Sequence, residues 1–274
     1  MSINLNNSEL GRKSAYETQY NPTLLFPIPR EMKRKELGLN IENPGFYGVD
    51  IWTHYEVSWL NSKGKPMVAI GELSYPAYST NIIESKSMKL YFNSFNNTKL
   101  DSVDDLIQKV ENDISKAVGA TAKFKTISLT DNFDIKNKQG PFCLDDLDIE
   151  CSVYKPCSDF LFCEDSPIKE HVYSNLLKSN CLVTEQPDWG TVYIDYHGYK
   201  INHAGLLKYI VSLRNHNEFH EQCVEKIFND IQTRCSPEYL TVYARYTRRG
   251  GLDINPYRTS NKNFEVSNNR LIRQ

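Results

Sequence analysis

The chain has 274 residues, enough for one large domain or two of ordinary size. Apolar residues make up 40% and aromatic ones 12%, which provides for a packed core and argues against global disorder. A formal net charge of -2 argues against a general nucleic-acid binder but leaves room for a local basic pocket that takes phosphate.

No run of about 18 apolar residues occurs, so no membrane span is expected. Met1-Ser-Ile-Asn-Leu-Asn-Asn-Ser lacks the basic-then-apolar layout of an export signal. The seven cysteines are therefore expected as reduced thiols in a cytoplasmic protein. Cys143, Cys151, Cys157 and Cys163 invite a zinc reading. None of their gaps is the short C-x2-4-C spacing of structural zinc sites, so no metal is expected.

Residues 1–45 read as an irregular arm, broken by Pro22, Pro27 and Pro29 and basic at Arg30, Lys33, Arg34 and Lys35. Asp50–Leu60 is rich in strand formers, Asn61-Ser-Lys-Gly64 is a turn signal and Lys65–Leu73 reads as the second strand of a hairpin. Met88, Tyr91, Phe92 and Phe95 predict a short helix. Val103, Leu106, Ile107, Val110, Ile114, Ala117 and Val118 predict a stronger one, capped by Asp101 or Ser102 and ended by Gly119. Lys123–Leu129 returns to strand. The acidic, cysteine-bearing stretch 131–170 reads as a connection.

The same order then recurs. Leu182–Thr184 and Thr191–Tyr196 read as strands about a turn at Gln186-Pro187-Asp188. Leu206–Leu213 reads as a helix with Asn202 as its cap. Phe219, Cys223, Val224, Ile227, Phe228 and Ile231 form a second helical stripe that stops before Pro237. Leu240–Thr247 alternates as a strand. A long-period repeat of strands and helix pairs fits an α+β class, antiparallel sheets with helices on one face. The expected boundaries are an arm at 1–45, a first module at 46–135, a connection at 136–170 and a second module at 171–274.

Several stretches depart from simple core-and-surface patterning. Cys181 and Asp188 share one tight segment, Cys181-Leu-Val-Thr-Glu-Gln-Pro-Asp188. A thiol attacks an electrophilic carbon best as thiolate, so a neighbouring proton carrier suits it. Asp188 could take that proton or deliver one to the atom that becomes electron-rich. Glu84-Ser85-Lys86-Ser87 falls at a predicted helix start, where free N–H groups suit a phosphate or carboxylate. His220-Glu221 opens the last helix. The second histidine of a zinc motif is missing, with Val224 in its place. A histidine donor beside a carboxylate suits the amide-amidine edge of a guanine-like ring. Arg248-Arg249-Gly250-Gly251 lets guanidinium and backbone groups approach an anion. No G-x-G-x-x-G or Walker sequence is present, so a nucleotide cofactor would be held outside a Rossmann unit.

Four segments together resemble one family: Leu177–Gly190 around Cys181 and Asp188, Glu84–Tyr91, Phe219-His220-Glu221 and Tyr243–Gly251. They are similar to the NADPH-dependent 7-cyano-7-deazaguanine reductases of queuosine biosynthesis, in the long two-module form. The resemblance implies a tandem tunnelling fold, each module an antiparallel sheet backed by two helices. It implies that Cys181 forms a covalent thioimidate with the nitrile, with Asp188 and His220 in the catalytic set. Ile83, Glu84, Ser85, His220 and Glu221 would hold the deazaguanine, and Ser85, Lys86, Arg249 and Gly250 would contact NADPH. Motifs from both halves would contribute to one site. A homodimer without direct nucleic-acid or membrane contact is also implied. Three other readings stand beside it: another tunnelling-fold enzyme acting on pterins, such as a cyclohydrolase, for which the metal-ligand spacing is poor; a non-catalytic purine- or pterin-binding module; and a cysteine-dependent nitrile hydrolase, which would need no NADPH.

Overall fold

The computed structural model describes residues 17–130, 142–182 and 184–274. These fall into two compact units. One holds the described residues of Met1–Ile41, Val49–Phe133 and Arg248–Ile254. The other holds those of Glu42–Gly48, Asp134–Thr247 and Asn255–Gln274.

Within the arm read from the sequence, a 3-10 turn at Pro22–Leu24 precedes a strand, β1 (Pro27–Pro29), and a one-and-a-half-turn helix, α1 (Glu31–Glu36). β2 (Tyr47–Leu60) and β3 (Pro66–Pro76) form the expected hairpin, antiparallel from Val49↔Pro76 to Leu60↔Pro66. Its turn closes as the spacing suggested: the Gly64 amide donates to Asn61 O at 2.8 Å, and Gly64 takes φ +81°, a conformation open to glycine. The register slips between His54 and Val57, a bulge that leaves Tyr55 and Glu56 out of step. β4 (Asn81–Ile83) pairs with β1, and two helices follow, α2 (Ser85–Asn93) and α3 (Val103–Val118). Ser102 and Asp105 form a reciprocal capping box at the start of α3, and Gly119 ends it in the left-handed region. β5 (Lys123–Ile127) returns to pair with β3. Leu106, Val110, Ile114 and Val118 of α3, with Met88 and Phe92 of α2, pack on Trp52, Val57, Leu73 and Phe124 of the sheet in one apolar core.

The second unit repeats the plan. β6 (Phe142–Cys143) pairs in parallel with β7 (Cys163–Asn180), after a 3-10 turn at Ser158–Phe160. β7 pairs antiparallel with β8 (Pro187–Ile201). Two helices follow, α4 (His203–Ser212), capped by the Asn202 side chain on Gly205 N, and α5 (His220–Cys235). β9 (Tyr239–Tyr246) lies against β8. β10 (Leu252–Thr259) begins in the first unit, ends in the second and there pairs with β9. The fold is thus α+β: each unit carries mainly antiparallel strands and a pair of longer helices, α2–α3 and α4–α5, with the short α1 added in the first.

Two local expectations need correction. Leu182 and Thr184 lie in the turn between β7 and β8, not in a strand, because the chain reverses between Cys181 and Gln186; Val183 falls outside the described residues. The stretch read as a connection through residue 170 includes the first half of β7, which pairs with β8 from Cys163↔Ile201 onward.

The helix pairs share one device. In α2–α3, Tyr91 donates its hydroxyl to Asp113 at 2.7 Å, and Ser94 Oγ donates to Tyr91 O at 2.6 Å. In α4–α5, Tyr209 donates to Asp230 at 2.7 Å, and Ser212 Oγ donates to Tyr209 O at 2.6 Å. Each serine then accepts a backbone N–H at 3.1 Å from the residue just before the preceding 3-10 turn, Asn21 in one unit and Cys157 in the other. The repeat therefore reaches back to segments that the sequence pattern had assigned to an arm and a connection.

Candidate active site

Cys181 follows the last residue of β7 and is buried, 4% exposed. The reversal beyond it is closed by two backbone bonds, Cys181 N to Gln186 O at 2.9 Å and Glu185 N to Cys181 O at 3.1 Å. Glu185 carries the turn at φ +56°, a conformation uncommon for a residue with a side chain. The hairpin register sets Ser179 opposite Asp188, so Asp188 sits at the same end of the β7–β8 pair as Cys181.

His220 arrives from a different direction. Asn180 N donates to His216 O at 2.8 Å and Glu218 N donates to Asn180 O at 3.0 Å, a parallel bridge that fastens the lead into α5 alongside the end of β7. The Asn180 and Asn217 side chains add a 2.9 Å bond. From that anchor His220, the first residue of α5, places Nε2 3.3 Å from Asp188 Oδ2. The imidazole lies face to face on Tyr246 of β9, ring centroids 3.8 Å apart and planes 4° from parallel. Asp188 is 6% exposed, Glu221 2% and Tyr246 fully buried. Burial pushes the Tyr246 phenol well above its ordinary range, with Cys223 and Asp188 adding to the effect. Cys223, one turn along α5, is pushed up to about 12 by burial, so it remains a thiol.

The other expected residues are in the first unit. Ile83 ends β4, and Glu84 is the N-cap of α2, with no exposed surface. Its Oε1 accepts from Lys86 N at 2.7 Å and its Oε2 from Ser87 N at 2.8 Å. Desolvation raises the Glu84 pKa against the pull of those amides. Arg249 and Gly250 lie in the exposed turn between β9 and β10, where Gly250 and Gly251 take φ +63° and +82°. Lys89 of α2 donates to Gly250 O and pairs with Glu56 at 3.3 Å, which joins the helix to the turn.

Tyr246, Tyr55, Glu56 and His54 shape these two clusters and did not stand out in the sequence, whereas Lys89 does, as positive charge beside Lys86 in the Glu84–Tyr91 segment. The β2 bulge turns Tyr55 and Glu56 toward the glycine turn: Tyr55 N donates to Gly251 O at 2.9 Å, and Arg248 stacks over the Tyr55 ring at 4.4 Å. His54 donates from Nδ1 to Gly251 O at 3.1 Å and is held down to about 4 by burial, hence neutral. Tyr246 lies inside the Tyr243–Gly251 segment, which marks its place but not its role. Among the described residues no His, Cys, Asp and Glu side chains gather in a group of three or more that could hold a metal ion, and all seven cysteines are free.

Comparison with known proteins identifies the family. A family model described as nitrile reductase, 7-cyano-7-deazaguanine-reductase N-terminal matches residues 16–126, and one described as QueF-like protein matches residues 187–265. An NADPH-dependent 7-cyano-7-deazaguanine reductase of Legionella pneumophila (strain Corby) is 56% identical over 98% of this chain and 95% of its own length. This chain belongs to the 7-cyano-7-deazaguanine reductase family. Family members so named from Polaromonas sp. and Ralstonia nicotianae are each 54% identical over 97% of this chain and 98% of their own length. Among the described residues no helix is long and apolar enough to cross a membrane.

Proposed function

We propose that this protein reduces the nitrile of 7-cyano-7-deazaguanine to the aminomethyl group, with NADPH as reductant, as a step in queuosine biosynthesis. The observation that carries the reading is the buried arrangement of Asp188, His220 and Tyr246 at the hairpin end that bears Cys181, in a chain matched along its length by reductases of that name. The Cys181 thiol gives its proton to the Asp188–His220 pair as its sulfur adds to the nitrile carbon, the C≡N becomes C=N, and the pair returns that proton to the nitrogen. The product is a thioimidate. His220 Nδ1 is buried without a protein hydrogen bond, and so is free for a ligand.

Glu221 and Glu84 are the carboxylates proposed to accept the N–H edge of the deazaguanine, with Ile83, Ser85 and His220 beside it. The donor set suits NADPH: Ser85 and Lys86 in the first turn of α2, and Arg249 with Gly250 in a left-handed turn joined to that helix through Lys89. When bound, the cofactor supplies hydride, twice per nitrile. Lys86 and Arg249 would hold its anionic groups, and Lys89, which donates to Gly250 O and pairs with Glu56, ties the turn to α2. A homodimer, a cytoplasmic setting and no direct nucleic-acid contact complete the proposal.

Intact-protein mass spectrometry tests it. Incubation with the nitrile alone should add the ligand mass at Cys181, and NADPH should then release the amine. Formation of a carboxylic acid without NADPH would favour a hydrolase, and no adduct with no NADPH consumption would leave a binding module.

A further inference from the structure

We infer that Tyr246 is a positioning residue that holds the His220 imidazole in the plane needed for its bond to Asp188. The 3.3 Å contact between Nε2 and Asp188 sets one distance but not the ring plane, because rotation of imidazole about its terminal torsion is broad. The other nitrogen, Nδ1, is buried with no protein partner. His220 is also the first residue of α5, whose N-cap, Phe219, supplies no side-chain cap. The Tyr246 ring lies parallel to the imidazole within 4° at 3.8 Å and so restrains its plane directly.

Tyr246 can act this way because it is itself fixed from three sides. Its carbonyl accepts from Gln274 Nε2 at 2.9 Å. That carboxamide is 3% exposed and fully engaged. Nε2 also donates to Asn255 at 2.8 Å, and Oε1 accepts from Arg245 Nε at 2.7 Å and from Leu271 N at 3.1 Å. The ring lies against Gly190, opposite it on β8, where an added Cβ would fall 3.2 Å from Tyr246 Cδ1. The phenol oxygen is buried beside Ser179 and Cys223. Restraint thus passes from Gln274 to Tyr246 and from Tyr246 to His220, and it explains why the Pro187-Asp188-Trp189-Gly190 segment ends in glycine.

The inference rests on the proposed role of the Asp188–His220 pair in proton delivery, and its test separates the two. Tyr246→Phe keeps the ring, Tyr246→Leu removes the stack, and Gln274→Glu keeps the shape while losing both Nε2 donations. Imidazole ¹⁵N shifts of His220 report its tautomer without any turnover. The wild type and Tyr246→Phe should show one tautomer, protonated at Nε2. Tyr246→Leu and Gln274→Glu should show mixed tautomers and a kcat lower by about tenfold or more, with KM for the nitrile within about threefold, since positioned proton transfer contributes roughly 100-fold or more. Retention of the single tautomer in both Tyr246→Leu and Gln274→Glu overturns the inference, as does equal disturbance by Tyr246→Phe. If the wild type itself neither forms the adduct nor consumes NADPH, the functional reading falls, while the tautomer result still decides the role of Tyr246.

Discussion

Glu225 and Arg258 offer a demanding test of how the second unit is held together. Arg258 has no exposed surface and Glu225 only 2%. Nη2 and Nε of the arginine reach Glu225 Oε1 at 2.9 and 3.2 Å, Nη1 donates to Tyr257 O at 2.8 Å, and the guanidinium lies over Phe46 at 5.6 Å. Glu225→Ala would keep the Tyr257 bond but remove the carboxylate of a buried ion pair, a loss that typically costs about 3–5 kcal/mol. At about 2–4 °C per kcal/mol for a domain of this size, the melting temperature should fall by roughly 6–20 °C. Replacing both partners by apolar residues, Glu225→Leu with Arg258→Met, removes both charges together. The double variant should recover most of the loss, because a buried ion pair is worth little net against a well-packed apolar substitute. Urea unfolding of the two single variants and the double variant gives the coupling directly. A loss below ~1 kcal/mol for Glu225→Ala, or a double variant no more stable than the worse single, would refute the reasoning.

Other outcomes follow from the same geometry. Asp188→Asn should lower turnover on the nitrile by ~100-fold or more with little change in nitrile affinity, measured by steady-state kinetics and a binding titration; an unchanged rate removes Asp188 from proton transfer. His54 is neutral when folded, with a pKa of about 4 against an ordinary value near 6.5. The unfolded chain therefore binds its proton first as pH falls, and stability is lost between about 6.5 and 4, at up to ~1.4 kcal/mol per pH unit. His54→Asn can still donate to Gly251 O, and it should flatten that acid limb in urea titrations; an identical limb contradicts the assignment. Gly251→Ala puts a Cβ 2.5 Å from the Glu56 carboxyl at φ +82°. It should cost about 1–2 kcal/mol of stability for the left-handed backbone alone, read by thermal unfolding, and Gly38→Ala, which meets nothing within 4 Å, is the control for the backbone contribution.

How much of this was legible varied with the kind of restraint. α3 could be read to the residue, because Leu106, Val110, Ile114 and Val118 carry its buried face and the capping box and Gly119 mark its ends. β7 was not, since its first half carries Glu164, Asp165, Lys169 and Glu170 and buries no continuous apolar face; pairing to β8 defines it. Cys181, Asp188 and His220 stood out as chemical motifs. The contact between Asp188 and His220 did not, because it depends on the Asn180–Asn217 bridge between segments distant in sequence. Tyr55 and Glu56 owe their placement to a bulge, which leaves no compositional trace.

The shared tyrosine–aspartate clasp makes the two helix pairs superimposable in role and so allows their helix starts to be compared as alternatives to one another. In the first unit α3 begins with a complete Ser102–Asp105 box, whereas its counterpart α5 begins at Phe219 with no side-chain cap and presents His220 and Glu221 in its first turn. Conversely, α4 begins with the neutral Asn202, whereas its counterpart α2 begins with the buried acid Glu84. The second unit thus leaves α5 without a side-chain cap, while the first caps α2 with a buried acid whose carboxylate accepts from Lys86 N and Ser87 N. At α5 the missing cap costs a few tenths to about 2 kcal/mol of helix stability and leaves the first-turn amides beside His220 and Glu221 without a side-chain acceptor from Phe219.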